Sequence, residues 1–224
     1  IPQYLESLLR RHNFTLAPNR AELIIHPKRP EEHLYSGAHI ATGNDGEAYH
    51  HGIVIDTSGD MTIVHFWGET KRDAKIQKTT LNAFQAGHPN KVGKRIRPLY
   101  LIVYPDDTDE KRRDTVYNAQ ILLNQADQYT YNLLSRNCEA LACFCRTGQW
   151  VSEQVERVKQ LLVKEMNERV QSWLQTTIEQ NSSLTSSNNS SNSQTSKCST
   201  VNNIFGSFSE TIDGLSASTN ATCS

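Results

Sequence analysis

Apolar and β-branched residues alternate with polar ones in short stretches of the first half of the chain, and recur at helical spacing in the second. His50 to Asp56 and Met61 to Trp67 are two such stretches, joined by Thr57-Ser58-Gly59-Asp60, which predicts a β-hairpin. Arg97 to Tyr104 predicts a further strand closed by Pro105, and His33 to Thr42 a short one with a turn at Ser36-Gly37. Tyr4 to Arg11 reads as a short helix. Asp106-Asp107-Thr108-Asp109 supplies capping oxygens and negative charge for a longer one. Its Val116, Ala119, Leu123 and Ala126 form one apolar stripe. A second helix begins near Asn137 or Cys138 and stops at Gly148, and a third covers Val151 to Ile178 with Val155, Val158, Leu162 and Trp173 among its charges. Strands precede helices, so the fold class is α+β, a small antiparallel sheet packed against helices.

Composition changes near residue 181. Of the 44 residues from Asn181 to Ser224, 27 are Ser, Asn or Thr, too little apolar surface to offset the entropy of ordering, which predicts a disordered tail. Its one apolar patch runs from Val201 to Phe208. Over the whole chain, 23 basic residues face 24 acidic ones, without the basic footprint of a nucleic-acid binder. The longest strongly apolar run, Leu99 to Tyr104, is far short of the roughly 20 residues of a membrane span. The chain opens on Ile1 rather than Met, which leaves open whether a leader precedes it. Five cysteines, three of them crowded at Cys138, Cys143 and Cys145, form no disulfide framework and favour a reducing, cytoplasmic compartment. Their spacing lacks the paired CxxC of a structural zinc site, so neither a metal nor a cofactor is expected.

Cys138 falls at the predicted start of a helix, where unpaired N–H groups and the positive dipole end should lower a thiol pKa from about 8.5 and steady an acyl-transfer oxyanion. A thiol nucleophile needs an imidazole within hydrogen-bond reach. About a Ser58-Gly59 turn, His50 and His65 stand two residues off direct opposition, as diagonal neighbours on one sheet face roughly 7 Å apart or less at Cβ. His51 points to the opposite face. A Cys-His-His catalytic constellation and a pair of structural histidines with a buried thiol are both compatible with this pattern. His26, His33, His39 and His88 have no partners at recognisable spacing, Glu139 reads as a helix-start charge, and Lys71 to Lys78 and Lys91 to Arg97 read as solvated faces.

Asn137-Cys138-Glu139, preceded by Tyr131 and Leu134, resembles the nucleophile motif of the lecithin:retinol acyltransferase (LRAT)-type family within the NlpC-like papain-fold superfamily. His50-His51-Gly52-Ile53-Val54-Ile55 and Ile63-Val64-His65-Phe66 are similar to its two histidine blocks. Leu34-Tyr35-Ser36-Gly37-Ala38-His39-Ile40 resembles its opening strand, with Ala38 where the family has Asp, and Cys145-Arg146-Thr147-Gly148 resembles the ending of its Cys helix. Ala140-Leu141 replaces the acidic or His residue and Phe that often follow. The resemblance implies a permuted papain-like fold over residues 31–160, after an N-terminal extension (1–30) and before a helical extension (161–180) and the tail (181–224). It implies Cys138 as nucleophile, His50 as general base and His65 as its orienting partner, with His51 the alternative base.

The activity so implied is a thiol-dependent acyltransferase or acyl hydrolase, of phospholipase type, acting on a lipid ester through a thioester acyl-enzyme. Its partners would be a phospholipid-like substrate and, transiently, a membrane surface, with no nucleic acid and no transmembrane segment. An NlpC-like cysteine amidase or peptidase using the same residues, and an inactive LRAT-like binding module, are the alternatives. Leu134, Leu141 and Phe144 would suit an acyl chain or equally a core.

Overall fold

The computed structural model describes residues 3–23, 29, 32–44, 47–70, 72–87 and 96–187. Two compact units divide the chain after Arg157. The first carries helix α1 (Gln3–Arg11), strands β1 (Ala21–Leu23), β2 (His39–Thr42), β3 (His50–Asp56), β4 (Thr62–Trp67) and β5 (Lys75–Thr80), helix α2 (Leu81–Ala86), strand β6 (Leu99–Ile102), and helices α3 (Asp109–Asn124) and α4 (Cys138–Thr147). It also carries the start of α5 (Glu153–Ser187). The strands form one six-stranded sheet in the order β1-β6-β2-β3-β4-β5, with every neighbouring pair antiparallel. An α+β fold with an antiparallel sheet against helices is thus what the chain adopts.

The hairpin register follows the expected turn centre. Ile53 pairs with Val64 and Val54 with Ile63, and a bulge then lets Asp56 face Thr62. Asp56 turns back to accept hydrogen bonds from the Ser58 amide (2.9 Å) and hydroxyl (2.8 Å), an Asx turn that fixes the corner. Alternation along β3 and β4 then sorts side chains into two cores. Val54 and Ile63 pack with Ile40, Leu99, Leu81 and Phe84 on one face. Ile53, Val64 and Phe66 pack with Ala119, Leu122, Leu141, Ala142 and Cys145 on the other, so α3 and α4 cover that second face.

Three sequence expectations are corrected. The segment from Lys71 to Lys78, expected only as a solvated face, does expose Arg72, Asp73, Lys75 and Lys78 but also supplies most of β5, a strand not expected, which pairs with β4 from Trp67↔Lys75 to Thr62↔Thr80. It buries only Ile76 fully, and the lysines of this sheet-edge strand discourage further pairing. The buried positions of α3 are Thr115, Ala119 and Leu122, a stripe rotated from the one expected. The strand sought in His33 to Thr42 is confined to β2.

Helix ends obey local chemistry. Asn137 caps α4 by accepting from the Ala140 amide at 2.9 Å, and Gly148 closes it at φ 77°, the left-handed conformation that glycine tolerates best. Thr108 and Thr80 cap α3 and α2 in the same way. In the second unit α5 continues beyond Asn181 to Ser187, with exposed Leu162, Val163, Met166, Val170 and Trp173 and Lys164–Glu168 and Arg169–Glu165 pairs one turn apart. His26, His88 and the Val201 to Phe208 patch lie outside the described residues. No helix among the described residues is long and apolar enough to cross a membrane.

Candidate active site

The hairpin brings its two histidines together. His50 Nε2 lies 2.6 Å from His65 Nδ1, with the rings edge to face at 4.8 Å. His65 Nε2 lies 2.8 Å from Thr79 Oγ1 on β5, and the Thr79 hydroxyl donates to the Thr80 carbonyl at 3.4 Å. That last bond sets the polarity of the string. With its proton used, Thr79 Oγ1 accepts from His65 Nε2–H, so His65 Nδ1 accepts from His50 Nε2–H and His50 Nδ1 keeps its lone pair. Phe84 packs against both rings, at 5.1 Å and 5.3 Å. It can do so because Gly52 lies beneath; a Cβ there would stand 2.9 Å from Phe84 Cε2 and 2.7 Å from Ile63 Cγ2.

Cys138 is the first residue of α4, a free thiol on a half-buried residue. Its Sγ lies 4.0 Å from the Tyr49 carbonyl, to which the S–H donates, and the main-chain N–H groups of His51, Glu139 and Cys138 itself favour its thiolate. The sulfur therefore touches main chain on both sides of His50. No imidazole nitrogen among the described residues hydrogen-bonds Sγ: α4 covers the face to which Ile53 and His51 belong, while the His50–His65 pair packs with Phe84 on the opposite face. Nor is the thiol acidified as its position at a helix start suggests. Burial pushes it up to about 11, outweighing the three amides that pull it down, and the neighbouring Glu139 charge adds to the rise.

On the α4 face a second buried string runs the other way. Gln154 Nε2 approaches His51 Nε2 at 3.1 Å, His51 Nδ1 lies 2.9 Å from His39 Nε2, and His39 Nδ1 lies 2.8 Å from Tyr104 Oη. An amide nitrogen only donates, so His51 Nε2 accepts, His51 Nδ1–H donates to His39, and His39 Nδ1–H donates to Tyr104. Both His51 nitrogens are consumed. His39, expected to be partnerless, is part of this chain. Glu139 is likewise no solvated helix-start charge: it is 5% exposed, and its Oε2 accepts from the Ser152 hydroxyl, the Gln154 main-chain amide at 3.1 Å and the Gln154 side chain at 3.3 Å.

The electrostatics disfavour the charged form of all four imidazoles of these two strings. Burial pulls His50 down to about 3, helped by the Arg97 and His51 charges; burial alone takes His51 to about 3. Burial also drives His39 and His65 well below their ordinary value. Arg97 belongs to this environment rather than to a solvated face, its guanidinium donating to the Gln85 (3.0 Å) and Phe84 (3.3 Å) carbonyls at the end of α2.

Thr79, Gln154, Ser152 and Arg97 were not singled out from sequence, being common residues with no motif around them. The expected acyl lining does not form one surface: Leu134 is 66% exposed and Leu141 fully buried. Cys143 is disulfide-bonded, which the cysteine spacing did not suggest. Among the described residues, no cluster of metal-binding geometry includes Cys138, His50 or His65.

A family model described as lecithin retinol acyltransferase matches residues 32–151, slightly more than half of the 224-residue chain. The match takes in β2 through α4, with Cys138, His50, His51 and His65 inside it. No curated protein and no solved structure matches the chain. On the strength of that segment, the chain belongs to the lecithin retinol acyltransferase family.

Proposed function

We propose that the protein is a thiol-dependent acyltransferase or acyl hydrolase whose substrate is a lipid ester of the glycerophospholipid kind, reached at a membrane surface. Cys138 Sγ attacks the ester carbonyl as its proton passes to His50 Nδ1. The sulfur–acyl bond forms, the ester C–O bond breaks, and the departing alkoxide takes the proton back from His50. Water, an alcohol or an amine then attacks the thioester, giving its proton through His50 to the sulfur. His65 and Thr79 hold the His50 ring in the tautomer that accepts at Nδ1.

The observation that supports this best is the pairing of a thiol lodged against the main chain on both sides of His50 with a His50 ring held through Nε2 alone. His51, the other candidate base, has its Nε2 occupied by Gln154. Because burial opposes charge on both thiol and imidazole, the proton moves in concert with attack rather than from a standing ion pair. The transfer requires the start of β3, where the sulfur meets main chain on either side of His50, to turn the His50 ring to the thiol as substrate binds. Family membership favours acyl transfer, and the amides around the sulfur are suited to a developing oxyanion.

Intact-mass spectrometry after incubation with phosphatidylcholine vesicles tests the reading. We expect one fatty-acyl adduct, on the Cys138 peptide, absent from Cys138→Ala. His50→Ala should slow its formation by about 10²–10⁴-fold, the usual range for general-base loss, and His51→Ala by much less. Acyl transfer that survives Cys138→Ala refutes the mechanism; a loss confined to His51→Ala moves the base to His51.

A further inference from the structure

Tyr49 directly precedes β3. Its N–H donates to Gln154 Oε1 at 2.7 Å, and its C=O accepts from Gln154 Nε2 at 3.2 Å. One side-chain amide thus grips both polar groups of one residue, as an adjacent strand would. The same carbonyl faces the Cys138 sulfur at 4.0 Å. Gln154 is 9% exposed and is anchored in turn. Its main-chain N–H donates to Glu139 Oε2 at 3.1 Å, and Glu139 is the residue after Cys138. Ser152, whose hydroxyl accepts from the Val155 amide at 3.3 Å as the cap of α5, donates to the same carboxylate. Gln154 lies just outside the segment matched to the family, which ends at residue 151.

We infer that Gln154 is a positioning residue for the Cys138 thiol: by clamping both main-chain groups of Tyr49 while tied to Glu139, it locks the start of β3 against the start of α4. This deepens the proposed function, since it concerns how the nucleophile of that reading is set. Without the clamp Tyr49, which lies just outside the β2–β3 pairing that holds His50 and His51, loses its tie to α4. The sulfur then loses the Tyr49 carbonyl, the acceptor of its S–H, and part of the burial that holds its pKa up. Both losses favour the thiolate, so the thiol pKa should fall.

The test is the rate of Cys138 alkylation by iodoacetamide from pH 6 to pH 10, read by peptide mass in the full chain. Gln154→Met keeps the length of the side chain and removes all its hydrogen bonds; Gln154→Glu keeps an oxygen for the Tyr49 amide and removes the donor. Each should raise the alkylation rate at fixed pH by about tenfold, equivalent to moving the profile down by about one pH unit, with Gln154→Glu the smaller effect if the Tyr49 N–H contact suffices to hold the strand. A residue that only stabilised the fold would lower the unfolding midpoint and leave the profile of the folded protein in place. Unshifted profiles in both variants overturn the inference, as does an unshifted Gln154→Glu profile should Gln154→Met not fold. The proposed chemistry is judged separately, by the Cys138→Ala adduct experiment, because alkylation requires no acyl substrate.

Discussion

Three imidazoles are sealed in the sheet, with His39 5%, His51 1% and His65 0% exposed, and this makes stability steeply dependent on pH. In the unfolded chain each takes up its proton near pH 6.5. In the folded protein burial holds each pKa well below that, to about 3 for His51. A group whose folded pKa is depressed contributes fully above its unfolded pKa, and the contribution drains away as pH falls, because only the unfolded state binds the proton. Between pH 7 and pH 5 an unfolded histidine passes from about one-quarter to nearly fully protonated. The folded state thereby loses about 2 kcal/mol for each buried histidine that stays neutral in the fold. The three together amount to about 6 kcal/mol, against a usual domain stability of 5–15 kcal/mol. Glu139, raised by burial, acts in the opposite sense and offsets part of one histidine's share. Urea unfolding followed by circular dichroism at pH 7, 6 and 5 reads the change. His39→Gln supplies an internal control, since it should reduce the pH 7 to pH 5 difference by about 2 kcal/mol whatever its effect at pH 7. A total change below about 2 kcal/mol would mean that these rings protonate within the fold, and both hydrogen-bonded strings would then be wrongly drawn.

Two further outcomes follow from the same geometry. Thr79→Val leaves the His65 Nε2–H without an acceptor, which should lower stability by about 1–3 kcal/mol and slow acylation of Cys138 by at least about tenfold, with Thr79→Ser restoring both; wild-type behaviour in Thr79→Val would refute the assigned polarity. Gly52→Ala drives a methyl to 2.7 Å from Ile63 Cγ2 and 2.9 Å from Phe84 Cε2, an overpacking expected to cost about 1–3 kcal/mol. An unchanged denaturation midpoint would show that Phe84 can yield.

Local pattern determined much of this protein. The limits of β3, the beginning of α4 near Asn137 or Cys138 and its stop at Gly148 were legible because they depend on residues within a turn or two of one another. The diagonal meeting of His50 and His65 was legible for the same reason, since hairpin register is set by the turn and by alternation. Tertiary structure decided what depends on burial and on distant partners. β5 carries almost no apolar signal and becomes a strand because β4 offers it a ladder. His39 finds His51, and Gln154 finds Tyr49 across 105 positions, through folding alone. The thiol pKa turned on the same distinction: dipole and amides at a helix start pull it down and can be read from sequence, but the loss of water around the sulfur is larger, and only the packed fold determines it.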